Sequence, residues 1–159
     1  MSKQETTDSD RIWQQLVEEY SLWAQVLKEF FSKETDRIAI LQRAFKKGDI
    51  APALHVMQYM APDELTTLFD ELIHFSTSHG YAGSVREIIL SLPRNWVLSN
   101  IEKTVEPHLV GATEDEYRRF LELYLLLDKD LTQRLIQRAI NHPDNEIREV
   151  GRDFQNSLH

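Results

Sequence analysis

The sequence predicts an all-α fold: an α-α superhelix of antiparallel helix pairs led by a long amphipathic N-terminal helix. Three observations carry this. The stretch from Gly48 to Val105 repeats itself at a shift of 32 residues, with Gly48 on Gly80, Ala53 on Val85, Val56 on Ile88, Met57 on Ile89 and Met60 on Leu92. Past a turn the match resumes, with Leu65 on Val97, Phe69 on Ile101 and Ile73 on Val105. A glycine leads each unit and a proline, Pro62 or Pro93, sits near its middle. A fixed period in this range marks arrays in which each helix pair buries its apolar face against the next.

The N-terminal helix comes first. Residues 1–9 are polar and expected to be flexible, and Ser9 or Asp10 is placed to cap a helix carrying Ile12, Trp13, Leu16, Val17, Tyr20, Trp23, Leu27, Phe30 and Phe31 on one face. We expect that stripe to be buried as a cap, because exposed aromatic patches of this size are uncommon on monomers. The other use of Trp13, Trp23 and Phe30 is self-association, giving a homodimer through this helix. Glu18, Glu19 and Glu29 on the polar face argue against a membrane-surface helix, which carries a basic belt.

A second helix is expected from Glu34 to Lys47, ending at Gly48, so that residues 10–47 form the N-terminal helices. Asp49 is placed to cap the next helix, and Pro52 lies in its first turn, where a missing N–H costs nothing. Pro62, with Asp63 and Glu64 behind it, starts a helix reaching about Ser76. Residues 48–79 thus form one helix pair and residues 80–111 a second, Ser84 to Leu92 and Pro93 to about His108, with Pro107 loosening the last turns. Thr113 and Glu116 have capping-box spacing. They open a third pair over residues 112–142, in which Tyr117, Phe120, Leu121 and Tyr124 continue the period and Leu125 to Asp128 lengthen the first helix. Residues 143–159 form a C-terminal cap helix whose polar outer face ends the stack. The whole reads as a single α-helical repeat domain.

Pro143-Asp144-Asn145-Glu146-Ile147-Arg148-Glu149-Val150-Gly151 resembles the conserved half of a HEAT repeat. Ser84-Val85-Arg86-Glu87-Ile88 echoes the same word, and Glu116-Tyr117-Arg118-Arg119-Phe120 does so more loosely, whereas Ala53-Leu54-His55-Val56 departs from it. The resemblance to the HEAT/armadillo-like α-helical repeat family implies a solenoid and a curved protein-binding surface. Small members of the family that bind tetrapyrroles supply the alternative, a pigment or cofactor chaperone or an enzyme with an apolar pocket, placed by the sequence near His55, Tyr59 or Trp96.

Charge and composition narrow the function. The chain has 159 residues and a formal net charge of −8, which argues against a nucleic-acid binder needing a basic face. It has no cysteine, hence no disulfide and no thiolate chemistry. A polar start without a signal-like apolar run, and no membrane-spanning run, make the expected location cytoplasmic. No nucleotide loop or nucleophile elbow occurs. Glu71-Leu72-Ile73-His74 is a single Glu-x-x-His word where a di-iron site needs two, and we read it as an ion pair or a lone histidine. His74, His108 and His142 recur every 34 residues but do not share a register of the repeat, so no metal site and no cofactor are expected. The expected partner is another protein and an enzyme is the less favoured reading, with no catalytic residues assigned.

The corresponding outward positions of the second helices form the candidate binding face of this scaffold or adaptor: Thr67, Ser99 and Arg134; Asp70, Glu102 and Gln137; Glu71, Lys103 and Arg138; with His74 beside them. Along these positions charge runs from acidic to basic, which suits a partner segment of opposite polarity. An ordinary charged surface is the equally weighted alternative.

Overall fold

The computed structural model describes residues 3–33 and 36–158, with side chains from residue 7 onward. Among the described residues the chain is all-helical, with ten helices and no strand: α1 (Lys3–Ser32), α2 (Arg37–Lys47), α3 (Ile50–Met57), α4 (Pro62–Thr67), α5 (Phe69–Phe75), α6 (Ala82–Ser91), α7 (Arg94–Leu109), α8 (Glu114–Leu127), α9 (Lys129–Ile140) and α10 (Asn145–Ser157). No described helix is long and apolar enough to cross a membrane. The chain divides into two compact units, residues 1–37 and 38–159.

The first unit is built on α1. Helix begins at Lys3, so Ser9 and Asp10 lie inside the helix instead of capping it; residues 1 and 2 lie outside the described residues. Pairs at helical spacing line its polar side, Arg11 with Asp8 at 3.5 Å, Gln14 with Glu18 at 3.4 Å and Lys33 with Glu29 at 2.6 Å. On its apolar side Trp13 is 66% and Tyr20 72% exposed. Only toward the C-terminal end, at Leu27, Phe30 and Phe31, is the stripe half-buried. There Phe31 takes Phe30 edge-on at 5.5 Å and the Arg37 guanidinium over its ring at 5.3 Å.

In the second unit the helices pack along the chain: α3 on α6, α5 on α6 and α7, α6 and α7 on α8, α8 on α9, and α10 on both α8 and α9. The core is made largely by the positions that match at a shift of 32, the exception being Val56, half-buried where its match Ile88 is buried. Ala53 and Val85, Met57 and Ile89, Met60 and Leu92, Leu65 and Val97, Phe69 and Ile101, Ile73 and Val105 are all buried, as are Tyr117, Phe120, Leu121 and Tyr124. Burying such side chains stabilises by roughly 1.5–3 kcal/mol each, which is why the apolar pattern and the core coincide.

Helix ends follow from local chemistry. Gly48, Gly80 and Gly111 take φ of 101°, 87° and 74°, the left-handed region that stops a helix. At the first of these, the N–H groups of Gly48 and Asp49 both donate to Ala44 O, at 3.0 and 2.9 Å. Glu34, where α2 was expected to start, lies outside the described residues. Asp49 makes no side-chain cap, and its carboxylate lies 3.7 Å from Lys47 Nζ instead. Thr113 does cap α8, accepting from Glu116 N at 3.3 Å, while its hydroxyl donates to the Glu116 carboxylate. Asp144 caps α10, accepting from the N–H groups of Glu146 and Ile147 at 2.8 and 3.3 Å.

Between Pro62 and Ser76 the structure has two helices, not the expected one. Thr66 and Thr67 both donate their hydroxyls back to Asp63 O, at 2.9 and 3.2 Å, and Leu68 follows at φ −98°, ψ 16°. Back-bonding of this kind bends helices, and here it accompanies the break at Leu68 between α4 and α5.

Candidate functional site

The candidate face rests on α5, α7 and α9, with Thr67 at the end of α4. In α5, Phe69, Leu72 and Ile73 are buried, which turns Asp70 and His74 outward and leaves Glu71 half-buried. These three line one side of a groove of ≈ 380 Å³. Phe45 and Phe75, their rings tilted by 31° with centroids 5.1 Å apart, contribute its apolar part, and Gln42, Lys46 and His108 complete it. The carboxylates of Asp70 and Glu71 make no hydrogen bond or ion pair among the described residues, and Glu71 does not pair with His74. The His74 ring instead lies 4.9 Å from Phe75 and 5.9 Å from the His108 ring.

The histidine register read from the sequence is therefore only partly right. His74 and His108 meet, while His142 packs on Tyr117 at 5.4 Å. Among the described residues no three metal-ligating side chains converge. Burial lowers the His108 pKa, and neighbouring His74 lowers it further, with Asp70 and Glu116 acting in the opposite sense. His108 thus favours the neutral ring.

Along α7 and α9 the charges meet each other. Arg134 contacts Glu102 at 2.7 and 3.1 Å, and Arg138 contacts Glu106 at 2.5 and 2.8 Å. The hydrogen bond from Arg138 holds the Glu106 carboxyl below its ordinary range, and each guanidinium is held more firmly protonated by its carboxylate. Together with Tyr124 these four line a second recess of ≈ 210 Å³. Burial, the main cause, and the nearby carboxylates raise the Tyr124 pKa, so its hydroxyl stays neutral.

The ten face residues thus separate. Asp70, Glu71 and His74 share the groove, while Glu102, Arg134 and Arg138 share the recess. Thr67 and Ser99 are exposed but turn their hydroxyls back to Asp63 O and Asn95 O. Lys103 and Gln137 are exposed and line neither. Sequence reasoning missed Gln42, Phe45, Lys46, Phe75 and His108 as lining residues. The first three come from the helix before the repeat, Phe75 closes α5, and only the 34-residue spacing of His74 and His108 hinted at the last.

Elsewhere, His55 lines a mixed polar and apolar recess of ≈ 220 Å³ and stacks with Tyr59 at 6.1 Å, and Trp96 packs edge-on against Phe69 at 4.9 Å. On α1, Trp13, Leu16, Val17 and Tyr20 frame a cleft of ≈ 340 Å³, with Trp23 at 37% exposure further along and Phe30 half-buried. Compared with known proteins, the chain matches no family model, no curated protein and no solved structure.

Proposed function

We propose that residues 38–159 are a HEAT-like helical-repeat module, a superhelix of helix pairs, that acts in the cytoplasm as an adaptor binding a segment of another protein. Three features support the repeat: buried residues recurring at a shift of 32, left-handed glycines at 48, 80 and 111, and ion pairs joining residues 32 to 36 apart. The arginines at equivalent positions behave alike, Arg86 reaching forward to Glu122 and Arg118 to Asp153.

The observation that carries the binding function is the groove at Asp70 and Glu71. On α7 and α9 acid meets base and the charge is spent internally. Here two carboxylates stand uncompensated by any ion pair among the described residues, beside an apolar floor of Phe45 and Phe75. The matching ligand is a chain segment with a lysine or arginine next to an apolar side chain. A small molecule is the weaker fit, because the groove is open and its polar groups do not converge on one point.

A peptide array probed with the whole chain tests this. Basic–apolar peptides should be retained preferentially, and replacing Asp70 with Asn together with Glu71 with Gln should weaken retention about tenfold, the effect of two exposed ion pairs. No preference on the array, or equal retention by the double variant, would remove the groove as the site.

A further inference from the structure

We propose that α1 is a self-association element, pairing antiparallel with α1 of a second copy of this chain. The pattern is the first ground. Trp13, Leu16, Tyr20, Trp23, Leu27 and Phe30 alternate steps of three and four, the spacing of a coiled-coil seam. The cleft on α1 is the second. Its four residues, Trp13, Leu16, Val17 and Tyr20, stand at i, i+3, i+4 and i+7, the four corners of a hole that receives one knob from a facing helix. An α1 of the same sequence supplies knobs at the same spacing.

Area sets the size of the interface. Ile12, Trp13, Leu16, Val17, Tyr20 and Trp23 are between 37% and 72% exposed. They leave open on the order of 600 Å² per copy, so that a pair covers about 1,200 Å², the lower bound for a specific, stable interface. The area per copy is at the upper end, about 600 Å², of the largest apolar patch a monomer typically exposes, and such patches are often functional.

The helix ends set the partner's direction. Asp8, Asp10 and Arg11 leave the start of α1 with one net negative charge, whereas Lys28 and Glu29 cancel near its end. Antiparallel pairing keeps the two acidic starts apart and opposes the helix dipoles. With the two-fold axis between Ser21 and Leu22, Tyr20 faces Trp23, Leu16 faces Leu27 and Trp13 faces Phe30 of the second copy, and Asp10 lies level with Lys33. A membrane surface is the poorer occupant, since Glu18 and Glu19 occupy the flank where an interfacial helix carries lysine or arginine.

Sedimentation of the full chain between about 1 µM and about 100 µM should show an 18.7 kDa monomer converting to a dimer. Leu16→Glu with Tyr20→Glu should hold it monomeric with unchanged helix content. A single monomeric species across the range overturns the proposal, as does a dimer that survives the double substitution. Direction is read separately, because the chain has no cysteine of its own. An equimolar mixture of Trp13→Cys and Phe30→Cys proteins should oxidise mainly to the mixed disulfide. Predominant Trp13→Cys homodimers would mean parallel pairing and overturn the proposed alignment.

Discussion

Arg134 and Glu102 meet at two points, 2.7 and 3.1 Å, across 32 residues of chain, and one turn further along α7 and α9 Arg138 meets Glu106 in the same way. The separation equals the shift at which the core positions match. The surface of α7 and α9 is thus tied together at the same interval as the interior beneath it.

The Glu106 pair should show itself in the acid range. Its carboxyl titrates below the ordinary 4.5 because Arg138 hydrogen-bonds the charged form. As pH falls, the unfolded chain takes up this proton first, so the native state binds fewer protons and loses stability down to its own lower pKa. The contribution is complete above about pH 4.5 and gone below the folded value. Melting temperature followed through this range should fall less steeply for Glu106→Gln than for the parent chain. Parallel curves would mean that the pair contributes nothing measurable.

Arg86 should matter more than Arg134. Its side chain is 20% exposed against 57%, and it reaches both Arg119 O and the Glu122 carboxylate. Arg86→Ala should cost about 2 kcal/mol, the value of part-buried bonds to a charged group. Arg134→Ala, at an exposed pair, should cost less than about 1 kcal/mol. Urea unfolding of both variants gives the ranking, and an inverted order would refute it.

Gly151 sits inside α10, where alanine would ordinarily gain about 1 kcal/mol of helix propensity. A Cβ there would come 2.9 Å from both Ala139 Cβ and Ile140 N, and 3.0 Å from Ile140 Cγ1. Separating α10 from α9 to make room costs about 1–3 kcal/mol, so crowding outweighs propensity. Gly151→Ala should lower the unfolding midpoint. A raised midpoint would mean that α9 yields without cost.

Gly80 and Gly83 form an opposed pair only three residues apart. Neither has anything within 4 Å of an added Cβ, but Gly80 has φ +87° and Gly83 lies within α6. Gly80→Ala should destabilise by about 1–2 kcal/mol through the left-handed conformation alone. Gly83→Ala should stabilise by up to about 1 kcal/mol. The same thermal scan reads both signs.

Much of the fold was legible because apolar spacing and glycine stops are local signals. Val97, Ile101 and Val105 announce a buried face, and Gly48 and Gly80 announce ends, whatever packs around them. What escaped depends on competition between neighbouring groups. Asp49 had the right chemistry for a cap, but its carboxylate lies beside Lys47 instead. Two threonines redirected their hydroxyls onto Asp63 O, and the helix from Pro62 broke at Leu68. Asp128, unmarked as a cap, accepts from Leu131 N at 3.0 Å. The candidate face was half legible. Periodicity set Asp70, Glu71 and His74 near one another on α5 but could not say that Arg134 and Arg138 face the carboxylates of α7, because that depends on how far apart two helices stand.

The cap and arginine of α10 have one more effect. Arg148 donates to His142 O at 2.8 Å, Pro143 O at 2.6 Å and Asn145 Oδ1 at 3.2 Å, while Asp144 holds the first amides of the helix. The link between α9 and α10 is thus fastened by a residue of the helix it leads into, and Gly151 lets the two backbones close together. Loosening the start of α10 releases the linker's carbonyls, and the close approach of the two backbones at Gly151 ties α9 to that opening. Amide exchange across residues 129–157 should therefore proceed as one cooperative opening rather than by fraying inward from Ser157.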